Sequence, residues 1–149
     1  MADTFPPALD RHLCFALYAT SLQMTQRYKP LLDPLNLTYP QYLVLLALWE
    51  KDGIGLKDLA AQLQQDPGSV TPLVKRLEAA GYLQRRRDAA DERNLVITLT
   101  ESGRALRQQA GEMHCAIQQH CGLNEAELDR LVDELGLLRR RLAGAPPAG

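Results

Sequence analysis

The sequence predicts a mainly α-helical fold with one small β-hairpin. Aromatic residues make up only 5% of the chain, while aliphatic residues, Gln, Glu, Arg and Lys are abundant, and this composition favours helix over sheet. Apolar residues recur at helical spacing along most of the chain, but two short β-prone runs follow Gly81. With 149 residues, of which 46% are hydrophobic, the chain is expected to form one domain over residues 1–149.

The first third of the sequence predicts two helices. Residues 9–28 carry apolar side chains at the spacing of a helix that is buried over much of its surface, and Pro30 is expected to end it. Thr38 and Gln41 form a capping-box pattern, which marks the start of a second helix. The almost wholly apolar run from there to Trp49 indicates that this second helix lies in the core.

Two further helices are predicted on either side of a tight turn. Residues 56–63 form a short amphipathic pattern. After the turn, Asp66 is expected to cap the next helix, with Pro67 at its first position, and Gly81 is expected to end it in a left-handed conformation. Two short helices joined in this way form a helix-turn-helix.

The pattern after this pair predicts a wing. Residues 82–87 and 95–99 are short β-prone runs, and the polar segment 88–94 between them is typical of a hairpin with a charged tip. A hairpin directly after a helix-turn-helix indicates a winged helix-turn-helix, which we expect to span about residues 38–100.

The end helices bracket this unit and are expected to form a dimer. Apolar stripes predict helices over residues 101–120 and 124–141. Together with the first helix they carry more apolar surface than so small a module can cover, so we expect dimerisation helices at about residues 8–30 and 101–143 in a two-fold homodimer. The Pro, Ala and Gly content of residues 144–149 predicts a disordered tail.

Charge is concentrated where DNA contact is expected. The whole chain has a formal net charge of −1, but the stretch from Lys75 to Arg93 holds six cations and four anions. A helix fits the major groove of B-DNA, and an arginine on a narrow hairpin tip suits the minor groove. The candidate DNA-binding residues are Ser69, Thr71, Pro72, Lys75, Arg76, Arg86, Asp91 and Arg93, with Asp91 expected to hold Arg93 in place. The expected partner is a pseudo-palindromic site on double-stranded DNA. The alternative interpretation of these charges is a solvated surface that binds nothing.

Composition and cysteine content limit the classes of protein to which this chain can belong. The start of the chain lacks a signal-peptide pattern and no run of 18 apolar residues occurs, so we expect a cytoplasmic protein without a membrane partner. Cys14, Cys115 and Cys121 are an odd number and are expected to be thiols rather than a disulfide framework. His114 shares a helical face with Cys121, whereas Cys115 and His120 point elsewhere, which argues against a metal sensor; no metal or cofactor is expected.

The motifs as a whole resemble a known family. Leu59 and Ala60, with residues 66–78, 86–93 and 99–103, resemble the MarR family of transcriptional regulators. Within that family, residues 13–18, 28–35 and 37–46 look like the organic hydroperoxide resistance regulators. The resemblance covers residues 9 to about 142 and implies a dimeric winged-helix repressor of a detoxification gene that releases DNA when organic hydroperoxide oxidises a cysteine.

The resemblance assigns roles to three residues near the N-terminal end. Cys14 matches the peroxidatic cysteine of the subgroup, and Tyr28 and Tyr39 match tyrosines that hydrogen-bond it. From the residues alone, Cys14 is either a small apolar residue of a core helix or a thiol whose thiolate is favoured by the helix dipole. The two tyrosines would otherwise be ordinary amphipathic residues at the edge of the core.

The resolving cysteine departs from the family pattern. Some members use a second cysteine from the other subunit to form a disulfide, and that position maps closest to Gln119 in this chain. Cys115 and Cys121 both lie in the same region, and Cys121 is preferred because it precedes Gly122 and is freer to move.

Two other classes of protein are alternatives to a peroxide-sensing repressor. A cysteine peroxidase is not expected, because the chain lacks the alternating strands and helices of a thioredoxin-like scaffold, and we predict that it is not an enzyme. A MarR-type regulator that responds to a small aromatic ligand is the nearest alternative. Such a protein would share the fold but would not depend on Cys14.

Overall fold

The computed structural model describes residues 5–144. The chain divides into two compact units, Met1–Met113 and His114–Gly149, and this division falls inside one helix. The elements in chain order are α1 (Leu13–Leu32), α2 (Tyr39–Glu50), β1 (Ile54–Gly55), α3 (Leu56–Gln62), α4 (Pro67–Ala79), β2 (Leu83–Arg87), β3 (Leu95–Leu99), α5 (Glu101–Cys121) and α6 (Glu125–Gly144). None of the helices in the described part of the chain combines the length and apolar character that crossing a bilayer requires.

The predicted bounds of the first helix were wrong at both ends. A short 3-10 helix, Leu9–Arg11, precedes α1, and His12 caps α1 by accepting a hydrogen bond from the Phe15 backbone N–H at 3.2 Å. Pro30 lies inside the last turn rather than ending the helix. A proline lacks one backbone N–H wherever it lies in a helix, and here only two helical residues follow it: α1 ends at Leu32, and a second 3-10 helix begins at Asp33.

The core of the first unit is built around α2. The Thr38 side chain accepts from the Gln41 N–H at 3.3 Å while the Gln41 side chain accepts from the Thr38 N–H at 3.1 Å, so the predicted capping box is confirmed. The apolar run after this cap is buried on most sides. The largest fully buried side chains of the described residues are Tyr42, Leu32, Leu45, Leu48, Leu59, Leu77, Leu83, Ile97, Val44, Val70 and Val74.

The helix-turn-helix forms where the sequence predicts it. α3 ends at Gln62, and Gln64 in the turn adopts a left-handed conformation with φ of 61°. Asp66 caps α4 by accepting from the Ser69 N–H at 2.9 Å, and Gly81 follows the helix with φ of 86°. The start and stop signals of α4 are thus confirmed.

The wing contains one more strand than the sequence analysis predicts. β2 and β3 form the expected antiparallel hairpin, with Leu83 opposite Leu99 and Arg87 opposite Leu95. β1 pairs with the other edge of β3 through Ile54 and Gly55, so the strand order is β1-β3-β2. A two-residue strand is too short to show alternation, and Gly53 and Gly55 indicated a break in structure instead.

The second unit contains the end of α5 and all of α6. Asn124 and Glu127 exchange hydrogen bonds of 2.8 and 3.2 Å and cap α6, as their spacing predicts. Leu131 and Val132 of α6 are exposed. The tail predicted to be disordered, residues 144–149, lies outside the described residues except for Gly144, the last residue of α6.

Candidate nucleic-acid interface and thiol site

The exposed face of α4 carries most of the predicted base-reading residues. Val70, Val74 and Leu77 are buried, so the opposite side of the helix faces solvent. Pro72, Lys75 and Arg76 lie on that exposed side, and neither cation forms a hydrogen bond or ion pair with another described residue. Their charges are therefore available to an external anion such as a phosphate or to a base edge.

The two hydroxyl residues of α4 are engaged within the helix. The Ser69 hydroxyl donates to an Asp66 carboxylate oxygen at 3.3 Å, and the Thr71 hydroxyl donates to the Pro67 carbonyl at 2.8 Å. Both oxygens still have lone pairs, so these hydroxyls can accept from a base more readily than they can donate to one.

The wing tip holds its arginine through a carboxylate. Asp91 Oδ1 accepts from the Arg93 backbone N–H at 3.1 Å and from Arg93 Nε at 3.2 Å. The side-chain hydrogen bond from Arg93, followed by the backbone one, lowers the pKa of the Asp91 carboxyl. The Arg93 side chain is 90% exposed. Asp91 therefore fixes the base of a guanidinium that projects into solvent.

The three arginines of β2 differ in what they contact. Arg85 is bound to Glu78 of α4 by its backbone N–H and its guanidinium. Arg86, a predicted DNA contact, is exposed and donates to the Gln84 side chain at 3.0 Å, while Arg87 donates to the Glu92 carbonyl at 2.7 Å. Arg86 keeps most of its donors for solvent or phosphate, whereas the charge of Arg85 is neutralised inside the protein.

Cys14 lies in the first turn of α1. It is the second residue of the helix, after the His12 cap, and its thiol is free and exposed rather than buried in a core. An exposed thiol in such a place is accessible to a small oxidant.

Tyr28 and Tyr39 pack against each other at the far end of α1. Their ring centroids are 5.0 Å apart, and Tyr42 lies 5.6 Å from Tyr28 and 6.2 Å from Tyr39. Burial raises the pKa of the Tyr39 phenol, which therefore stays protonated at neutral pH and can donate a hydrogen bond.

One chain cannot bring Cys14 to Tyr28. Both residues belong to α1 and are separated by fourteen positions, which corresponds to roughly 21 Å along a helix that rises 1.5 Å per residue. A hydrogen bond spans about 3 Å. Any bond between these two side chains must therefore join Cys14 of one copy to the tyrosine of a second copy.

The other two cysteines lie near the end of α5. Cys115 is exposed, Cys121 is the last residue of the helix and partly exposed, and Gly122 follows with φ of 65°. Both are free thiols. Within residues 5–144, no group of three or more His, Cys, Asp or Glu residues is arranged to hold a metal ion.

Two structural contributors to this site were not predicted from sequence. Glu78 joins α4 to the wing, and Gly103 lies against the Tyr82 backbone at the start of α5. The sequence signal for Glu78 was a carboxylate near a run of arginines. The signal for Gly103 was a glycine in the first turn of a predicted helix.

The α3–α4 pair followed by a β-hairpin whose tip projects an arginine defines a winged helix-turn-helix, a DNA-binding module. Comparisons with known proteins agree with this class. The family model described as transcriptional regulator SarA/Rot matches residues 26–110. The organic hydroperoxide resistance transcriptional regulator of Bacillus subtilis (strain 168) is 51% identical over 102 residues, which cover 68% of this chain and 69% of that protein.

Further relatives match over more of the chain. The HTH-type transcriptional regulator TtmR of Methylorubrum extorquens (strain PA1) is 44% identical over 140 residues, 92% of this chain and 70% of that protein. Reduced AbfR bound to DNA has a TM-score of 0.72 at 36% identity, with 87% of this chain and 90% of that one covered. AbfR has also been solved overoxidized and bound to DNA, and in a disulfide-formed state. A MarR-family regulator from Rhodococcus sp. RHA1 has a TM-score of 0.77 at 28% identity, over 86% of this chain and 92% of that one.

The chain belongs to the MarR family of transcriptional regulators, in the subgroup of organic hydroperoxide resistance regulators. It is a DNA-binding regulator rather than an enzyme, and the resemblance found in its sequence is confirmed at the level of family and fold.

Proposed function

We propose that the protein is a homodimeric repressor that binds a pseudo-palindromic DNA operator and releases it when an organic hydroperoxide oxidises Cys14. The observation that carries this proposal is the free, exposed thiol in the first turn of α1, in a chain that is 51% identical over 102 residues to an organic hydroperoxide resistance regulator. DNA and reduced thiols are both typical of the cytoplasm, which is the compartment that we propose.

The DNA contacts follow from the exposed charges. The exposed face of α4 enters the major groove, where Lys75 and Arg76 meet base edges or phosphates, and Ser69, Thr71 and Pro72 line the same approach. Arg93, oriented by Asp91, enters the minor groove, and Arg86 contacts a phosphate. Two such units in a two-fold dimer read half-sites about one helical turn apart.

Dimerisation explains exposed apolar surface and the separation of Cys14 from Tyr28. Leu13, Tyr18 and Leu22 of α1 are 60%, 65% and 45% exposed in the single chain, and large apolar side chains that are exposed together on one helix are typical of an interaction surface. A second copy placed antiparallel along α1 covers them and brings its Tyr28 and Tyr39 to Cys14, where their hydroxyls donate to the thiolate.

Sedimentation is expected to report the dimer directly. The chain has a mass of 16.6 kDa, and at micromolar concentration we expect a species of twice that mass, because burial of the exposed α1 and α6 side chains favours association. A stable monomer that still bound a palindromic site tightly would contradict the proposed assembly.

Oxidation proceeds in two balanced steps. The Cys14 thiolate attacks the terminal oxygen of ROOH, the O–O bond breaks, and the products are a sulfenic acid and an alkoxide that takes up a proton to become an alcohol. The thiolate of Cys121 or Cys115 then attacks the sulfenic sulfur, forming a disulfide and displacing hydroxide, which takes up a proton to become water. AbfR has been solved on DNA when reduced and when overoxidized, so we propose that disulfide formation locks the released state.

A binding assay with and without oxidant tests this function. We expect the reduced protein to select a pseudo-palindromic duplex from a random-sequence pool, and cumene hydroperoxide to lower its affinity for that duplex by more than about tenfold, or about 1.4 kcal/mol. Dithiothreitol should restore binding, because a disulfide is reducible. Affinity that was unaffected by stoichiometric hydroperoxide would refute peroxide sensing while leaving DNA binding intact.

A further inference from the structure

We propose that Glu78 and Arg85 form a clamp that sets the position of the wing relative to α4, so that Arg93 and the exposed face of α4 engage DNA together. This inference rests on the DNA contacts proposed above. It assigns a positioning role to two residues that need not touch DNA themselves.

The clamp consists of three contacts between the last turn of α4 and β2. The Arg85 backbone N–H donates to Glu78 Oε2 at 2.8 Å, and Arg85 Nε and Nη2 both lie 3.0 Å from Glu78 Oε1. Both carboxylate oxygens are used, and the side chains of Arg85 and Glu78 are only 29% and 33% exposed. Such partly buried, charge-assisted contacts are stronger than an ordinary surface ion pair.

The backbone contact explains why the carboxylate is needed. β2 is an edge strand, because the sheet order is β1-β3-β2, and the outward-facing N–H groups of an edge strand have no strand partner. Glu78 accepts one of these N–H groups. The same bond is the main reason that the pKa of Glu78 lies below its usual value, so the carboxylate remains ionised at neutral pH.

The position of the hairpin base determines where its tip lies. Arg93 is 90% exposed and is oriented by Asp91, but Asp91 fixes it only relative to the tip itself. β2 continues for two residues beyond Arg85, about 7 Å at a rise of about 3.3 Å per residue, so a rotation of about 10° at the base moves the end of the strand by more than about 1 Å, and the tip beyond it by more. β1 pairs only with β3, so β2, the outer strand of the sheet, has no strand on its other side to oppose such a rotation.

A double-mutant cycle tests the coupling. Wild type, Glu78→Gln, Arg93→Ala and the double variant are titrated against the duplex selected by the reduced protein, and against a scrambled duplex of the same composition. We expect Arg93→Ala to weaken specific binding about 5- to 150-fold in the wild-type background. In the Glu78→Gln background, the same change should cost less than about threefold, because the tip is already out of place.

The chain offers a matched control in the same hairpin. Glu92 is exposed and contacts Arg87 only through its backbone carbonyl, so Glu92→Gln changes the charge by the same amount without breaking a side-chain contact. In that background Arg93→Ala should keep its full cost. If Glu78→Gln does not fold, as judged by thermal denaturation, Arg85→Gln replaces it in the cycle, since it removes only the guanidinium contacts.

The outcomes separate this inference from the function on which it rests. An equal cost of Arg93→Ala with and without the clamp overturns the positioning role and leaves the wing as a DNA contact. No cost of Arg93→Ala in the wild-type background overturns the wing contact and the clamp together. A reduced cost in the Glu92→Gln control would show that charge alone explains the coupling, and would also overturn the clamp.

Discussion

Replacement of Cys14 by serine is expected to give a protein that binds its operator like the reduced wild type and stays bound when hydroperoxide is added. Serine is nearly the same size, so α1 and its exposed face should be preserved, but a hydroxyl at neutral pH does not attack an O–O bond. Wild-type affinity should fall by more than about tenfold under the same treatment, a difference of about 1.4 kcal/mol. Fluorescence anisotropy of a labelled duplex measures the affinity of each protein before and after hydroperoxide is added.

Cys115→Ser and Cys121→Ser serve as matched controls for this experiment. Both remove one thiol near the end of α5 and leave Cys14 in place, so mass spectrometry should still show Cys14 oxidised after one equivalent of peroxide. The variant that lacks the resolving thiol should not form the intersubunit disulfide on a non-reducing gel. Release of DNA by oxidised Cys14→Ser would instead locate the switch at another thiol, and release by a small aromatic compound would favour ligand sensing.

The helical framework could be read from the sequence because its signals are local. The side chains of Thr38, Asp66 and Asn124 each accept a hydrogen bond from the backbone N–H three residues further along the chain, as expected of helix caps. The bounds of α1 could not be obtained in this way. The fate of Pro30 depends on how much helix follows it, and only the folded chain shows that α1 ends two residues later.

The features of the site that depend on contacts between distant parts of the chain could not be predicted from the sequence pattern. β1 is a strand only because β3 offers an edge at Ile97, and two residues carry no periodicity. The contact between Glu78 and Arg85 depends on the angle between α4 and β2, which the sequence does not show. The sequence therefore could not indicate that Arg85 is paired with a carboxylate while Arg86 and Arg87 are not. The separation of Cys14 from Tyr28, in contrast, follows from helix geometry once both are placed on α1.

Gly103→Ala is expected to destabilise the protein strongly, although alanine is the better helix former by about 1 kcal/mol. A Cβ at Gly103 would overlap the Tyr82 backbone carbonyl oxygen and would lie 3.2 Å from Leu99 Cδ2. That carbonyl cannot easily move, because it accepts from the Thr100 N–H at 3.1 Å. The Gly103 carbonyl in turn accepts from Trp49 Nε1 at 2.9 Å, so a shift of the α5 backbone at this position also strains that bond.

The size of this effect follows from the rigidity of both partners. Overpacking a core typically costs about 1 to 3 kcal/mol, and overlap with backbone belongs at the upper end. A loss of about 3 kcal/mol lowers Tm by roughly 6 to 12 °C in a chain of this size, which calorimetry or circular dichroism measures. Gly111→Ala is the matched control: it lies in the same helix with no atom within 4 Å of its added Cβ, and it should raise Tm slightly. Equal Tm changes in the two variants would show that the close approach of α5 to Tyr82 does not constrain the start of the helix.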